Sequence, residues 1–190
     1  MMSRRPSDEG VPPDATGARR VSVVGLGNVL MGDDALGPMV IQALEAAYEF
    51  PEQITVSDLG TPGLDLIPYF TGLDALVIVD TVTSAGSPGE LRLYRRDEIL
   101  RTPPQLRLSP HDPGLKEALL TAEFAGNGPR EVLLVGVIPG EVRTSVGLSP
   151  AVQSAVQAAV AEVVRELDRL GVPARARAVA LPLDPWWERT

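Results

Sequence analysis

The chain has 190 residues, 44% of them hydrophobic, and a formal net charge of −8, which is the size and composition of one compact domain with one sizeable core. It contains no cysteine; disulfides, thiolate ligands, iron–sulfur clusters and a cysteine nucleophile are excluded, and any metal site must be built from oxygen and imidazole nitrogen. The acidic balance disfavours nonspecific nucleic-acid binding, because phosphates are repelled at long range.

The arginines near the ends (Arg4, Arg5, Arg19, Arg20, Arg175, Arg177) are interspersed with acids and read as solvated termini. No apolar run reaches the roughly 20 residues of a membrane span. The first segment, MMSRRPSDEGVPPDATGARR, has no apolar stretch of the kind an export signal carries. A soluble, cytoplasmic monomer is expected, with no membrane or nucleic-acid partner.

Residues 1–20 are polar and rich in Pro, Gly and charge, and are expected to be disordered. VSVVGL (21–26) is a β-branched run that predicts a strand buried on both faces. Leu36, Met39, Val40, Ala43, Leu44 and Ala47 follow at spacings of three and four, one apolar face of a helix. ITVSDL (54–59) predicts a second strand, LDLIPYF a short helix, and ALVIVD (75–80) another fully buried strand. ELRLYR (90–95) alternates apolar and polar residues, as an edge strand does, and EVLLVGVI (131–138) is the fifth strand.

The last helix is the clearest. Ser149 is the candidate N-cap and Pro150 the first helical residue. Val152, Val156, Val160, Val163, Leu167 and Leu170 share one face, and Gly171 and Pro173 stop the helix. Residues 172–190 read as a loose tail whose Trp186 and Trp187 could dock on the domain or on a partner. Buried strands alternating with amphipathic helices predict an α/β fold: a three-layer α/β/α sandwich over residues 21–171, with a mostly parallel five-stranded sheet.

In open parallel sheets, ligands bind beyond the C-terminal ends of the strands. The first strand is followed by GLGNVLMGDDALG, which carries Asp33 and Asp34, and the ALVIVD strand ends in Asp80. If the two strands are neighbours, Asp34 and Asp80 face one crevice. The single histidine, His111, lies in RLSPHDPGL, with Asp112 and Pro113 as N-cap and first residue of a following helix. Two carboxylates and an imidazole suit Zn²⁺, Ni²⁺ or Mn²⁺. Ordinary explanations stand beside this one: first-turn acids for Asp33 and Asp34, a strand-ending turn for Asp80, a structural or exposed side chain for His111.

Two other motifs fail on inspection. In GLGN, Gly25 and Gly27 match the start of G-x-G-x-x-G and Asp58 could mimic a ribose-binding acid, but the third glycine position is Leu30. Asp33 and Asp34 would also repel a pyrophosphate. Ala85-Gly86-Ser87-Pro88-Gly89 resembles a nucleophile elbow, but Pro88 lacks the N–H that an oxyanion hole would use, and the segment leads into a strand.

Taken together, VVGLGNVLMGDDALGPMVIQAL, ALVIVDTV, SPHDPGLKEAL and LLVGVIPGEV followed by GLSPAV resemble the hydrogenase maturation proteases, in order and over most of residues 21–170. These endopeptidases process the large subunit of nickel–iron hydrogenases. The resemblance implies a twisted five-stranded sheet between helices. It also implies a metal-contacting and catalytic set at Asp34, Asp80 and His111. The first acid is often Glu in the family, so the shorter Asp34 implies a slightly different geometry.

The implied activity is removal of a C-terminal extension from a large-subunit precursor after nickel insertion. The nickel is that of the precursor, and zinc or cadmium could act as its surrogate. Gly25, Gly27 and Asn28 are expected to shape the loop that holds Asp34. The alternatives are a non-catalytic chaperone of the metallated precursor and a nucleotide-binding enzyme that uses GLGN.

Overall fold

A computed structural model describes residues 19–61, 66–101, 105–106, 115–183, 185 and 187. The segment expected to be disordered falls, except for Arg19 and Arg20, outside the described residues.

The β-branched runs form the strands that their composition predicts. In chain order the elements are β1 (Val21–Leu26), a 3-10 turn (Gly32–Ala35), α1 (Leu36–Ala47), β2 (Tyr48–Glu49), β3 (Ile54–Gly60), α2 (Ile67–Phe70) and β4 (Ala75–Thr83). They continue with β5 (Leu91–Arg95), α3 (Arg96–Arg101), β6 (Gln105–Leu106), α4 (Leu115–Phe124), β7 (Glu131–Val137), α5 (Pro150–Arg169) and β8 (Arg175–Ala176). The main sheet runs β3-β1-β4-β7-β5, with the two-residue β6 paired to the end of β4. β1, β3, β4 and β7 are mutually parallel, and β5 closes the edge antiparallel to β7.

The alternation of side chains along each strand splits the core into two layers. Val21, Val23, Ala75, Val77, Val79, Leu133, Val135 and Val137 face α1 and α5. Val24, Leu76, Ile78, Val132 and Leu134 face the layer that holds Phe70, Ile99, Leu115 and Leu119. The three-layer α/β/α sandwich expected from the sequence is the observed architecture.

Strand order sets where a ligand can bind. From β1 the chain crosses through α1 to β3 on one side, then returns to place β4 on the other side of β1. The order therefore reverses between β1 and β4, and the crevice at their C-terminal ends is the switch point of the sheet.

Several short elements were not visible as patterns. α3 has six residues and buries chiefly Ile99, too few for a helical period to register. β6 is two residues long. The helix expected after His111 is α4, which begins at Leu115; Asp112 and Pro113 lie outside the described residues. Gly171 ends α5 at φ 76°, with the Val172 N–H donating to the Leu167 carbonyl at 3.0 Å, the left-handed stop its position suggests.

The tail departs from the expectation of a loose segment. Arg175 and Ala176 pair antiparallel with Glu49 and Tyr48. The Arg177 and Leu181 N–H groups donate to the Ala47 and Ala46 carbonyls, both at 2.8 Å. Trp187 is 8% exposed and belongs to the core layer of α1 and α5. Its burial removes a large aromatic surface from water, which outweighs the entropy of ordering the tail. Among the described residues, no helix is long and apolar enough to cross a membrane. Trp187→Ala should lower the unfolding free energy by about 3 kcal/mol in urea denaturation; a loose tail would give no change.

Candidate functional site

The loop after β1 is built by close packing. Gly25 lies against the Gly37 carbonyl at the start of α1, where an added Cβ would come within 2.6 Å. At Gly27, φ is 134°, and a Cβ there would collide with the Asp34 carbonyl. These glycines let the first turn of α1 press on the strand end. Asn28 then makes an Asx turn, its Oδ1 accepting the Leu30 N–H at 3.0 Å. The Asn28 N–H donates to Asp34 Oδ2 at 2.8 Å. The loop amide that a dinucleotide fingerprint would turn toward phosphate is here taken by an internal carboxylate.

Asp34 is 7% and Asp80 2% exposed. Asp80 is the residue after the last register pair of β4 with β1, Gly25 with Val79. Its side chain therefore sits where β1 leaves the sheet and its loop begins. Thr81 joins the two acids: its hydroxyl donates to Asp34 Oδ1 at 3.2 Å and its N–H to Asp80 Oδ1 at 2.6 Å. Burial pushes the Asp80 carboxyl well above its ordinary value, and the neighbouring Asp34 charge pushes it further; the Thr81 N–H opposes both. The structure brings Asp34 and Asp80 side by side through Thr81, as neighbouring strands β1 and β4 would require.

Asp33, the adjacent acid, has a different role. Its Oδ2 accepts the Gly140 N–H at 2.7 Å, the Glu141 N–H at 2.9 Å and the Ser149 hydroxyl at 2.9 Å; its Oδ1 accepts the Ser149 N–H at 2.6 Å. Burial alone would raise this carboxyl, but the donors from Glu141, Ser149 and Gly140 outweigh it, and the group sits below its ordinary value. Asp33 therefore fastens the β1 loop to the 140–149 segment and to the start of α5. Ser149 occupies the N-cap position expected of it, yet its hydroxyl caps no helix N–H; it serves Asp33, 116 residues away in sequence. A groove of about 660 Å³ runs over this clamp, lined among others by Gly32, Glu141, Arg143 and Ser145. Asp33 is already filled by its donors.

A divalent cation fits the chemistry of the Asp34–Asp80 pair: two buried acids, with none of the ion pairs among the described residues reaching either. Among the described residues, no group of three or more His, Asp or Glu is set to hold a metal, and His111 lies outside them. Sequence reasoning missed Thr81 and Ser149. The signal for Thr81 was its place directly after Asp80 near the end of β4.

Known proteins give this geometry its context. Residues 38–166 match the profile of a family described as hydrogenase maturation protease. The chain is 35% identical over 162 residues to the hydrogenase 2 maturation protease of Escherichia coli K12, covering 83% of this chain and 96% of the relative. This chain belongs to the hydrogenase maturation protease family. It is also 34% identical to a hydrogenase expression/formation protein of Azotobacter vinelandii, over 84% of this chain and 78% of that one. The solved structure of the hydrogenase maturating endopeptidase HybD from Escherichia coli superposes with a TM-score of 0.76 at 34% identity, covering 84% of this chain and 98% of that chain. As a member of the family, the protein is a peptidase of hydrogenase maturation.

Two stability predictions follow from the acids. Asp33→Asn places an amide N–H₂ against N–H donors and should cost about 2 kcal/mol at pH 7. Because the folded carboxyl lies below its ordinary value of 3.8, its contribution is complete above that pH and is lost as pH falls through the folded value. The difference between the variant and the wild type should shrink accordingly in acid denaturation. Asp80 has the opposite sign. Its raised folded value opposes folding above the ordinary 3.8, and the penalty is full once pH exceeds the folded value. Asp80→Asn should raise the Tm at pH 7 by about 3 °C, worth about 1 kcal/mol in a domain of this size; calorimetry checks it, and a lower Tm would contradict it.

Proposed function

We propose that this protein is the endopeptidase that removes the C-terminal extension of a nickel–iron hydrogenase large-subunit precursor once nickel has been inserted, with Asp34, Asp80 and His111 contacting that nickel. The observation that carries the reading is the buried pair Asp34 and Asp80 at the switch point of the sheet, joined through Thr81. Family membership supports the precursor as substrate. Asp34 and Asp80 supply carboxylate oxygens, and His111 is carried into the set by its position in the SPHDPGL segment.

The nickel belongs to the substrate. Its contact with two uncompensated carboxylates favours a metallated precursor over an empty one, since only the former brings positive charge to the crevice. Bound there, the metal supplies Lewis-acid polarisation next to the scissile peptide. In this reading Asp80, the carboxylate left more basic by burial, accepts a proton from the attacking water. The low dielectric of the buried crevice strengthens each of these interactions relative to water.

The test is incubation of wild-type and variant protein with a nickel-loaded precursor, followed by mass measurement of the large subunit. Asp34→Asn, Asp80→Asn and His111→Ala should each slow cleavage by at least about a hundredfold while folding normally. Wild-type rates in all three would remove the site. An unchanged precursor mass with the wild-type protein would favour a chaperone that binds without cutting.

A further inference from the structure

The geometry points to Thr81 as a positioning residue that sets the two carboxylates of the Asp34–Asp80 site relative to each other; the inference rests on the site reading above. Thr81 is fully buried, and a buried hydroxyl requires a partner. Its partner is Asp34 Oδ1 at 3.2 Å, an atom 47 residues away in sequence, while its own N–H holds Asp80 Oδ1 at 2.6 Å. One residue thus bonds an acid on the β1 loop and an acid on β4.

The chemistry of the donors matters as much as their number. The Asn28 N–H, the Thr81 hydroxyl and the Thr81 N–H are neutral donors. A lysine or arginine would order the carboxylates equally well and would also cancel the charge that a cation must find. Neutral donors fix the side chains without setting a competing cation against them. Among the described residues Asp34 has one donor on each oxygen, so each oxygen keeps a lone-pair direction for a further ligand. A short side chain held from both ends presents one geometry, where an unbraced one would sample several rotamers.

Thr81→Val keeps the shape of the side chain and removes the hydroxyl, and Thr81→Ser keeps the hydroxyl and removes the methyl. Two readouts apply to the full chain: Cd²⁺ affinity by calorimetry, and kcat and KM for cleavage of a nickel-loaded precursor. Thermal melting serves as the folding control. Thr81→Val should weaken Cd²⁺ binding and lower kcat/KM by about five- to tenfold, the worth of one net hydrogen bond, with a Tm lowered by only about 3 °C; Thr81→Ser should stay within about twofold of wild type. Wild-type behaviour of Thr81→Val, in a background where Asp34→Asn and Asp80→Asn are inactive, overturns the role of Thr81 and leaves the site standing. An equal loss in Thr81→Ser overturns it too, since packing of the methyl would then be the cause. If Asp34→Asn and Asp80→Asn bind Cd²⁺ and cleave as wild type does, the site itself is wrong and the inference falls with it.

Discussion

The structure depends on one electrostatic constraint: two carboxylates share a buried crevice at the end of a parallel sheet. Burying a charge is costly unless it is paired. Asp80 meets that cost beside a second acid, with its own neighbour's N–H as hydrogen-bond donor. A fold chosen for stability alone would fill this position with an apolar residue. Keeping an acid there makes sense if a cation arrives from outside, and the switch point between β1 and β4 is the end of the sheet at which ligands of open parallel sheets bind.

The surrounding elements hold the crevice in shape. Glycines 25 and 27 bring the loop and the first turn of α1 onto the strand end. The two adjacent acids of the loop divide the work. Asp33 takes four donors and fastens the loop to the segment that leads into α5. Asp34 takes two neutral donors among the described residues and no ion-pair partner there. Chemically identical side chains one residue apart thus differ in role because of what surrounds them.

The sheet was legible because parallel strands buried on both faces must be continuous apolar runs, and VSVVGL, ALVIVD and EVLLVGV are such runs. α5 was legible from its valine spacing and from Pro150 at its start. What stayed hidden depends on partners distant in sequence. Ser149 has the look of a helix cap, and only the folded chain brings Asp33 to its hydroxyl. The β2–β8 pair joins residues more than a hundred positions apart with no local pattern to announce it, whereas a docking Trp187 was one of the two fates its tail allowed. Asp34 and Asp80 could be brought together by topology alone, whereas His111 entered through resemblance to the family.

If the acid pair reads nickel carried by another protein, as proposed, cleavage must depend on that nickel. The most direct measurement compares a nickel-loaded large-subunit precursor with the same precursor prepared without nickel, each incubated with the wild-type protein and weighed by mass spectrometry. A mass loss equal to the C-terminal extension is expected in the nickel-loaded sample and an intact chain in the other. Equal cleavage of both would contradict it.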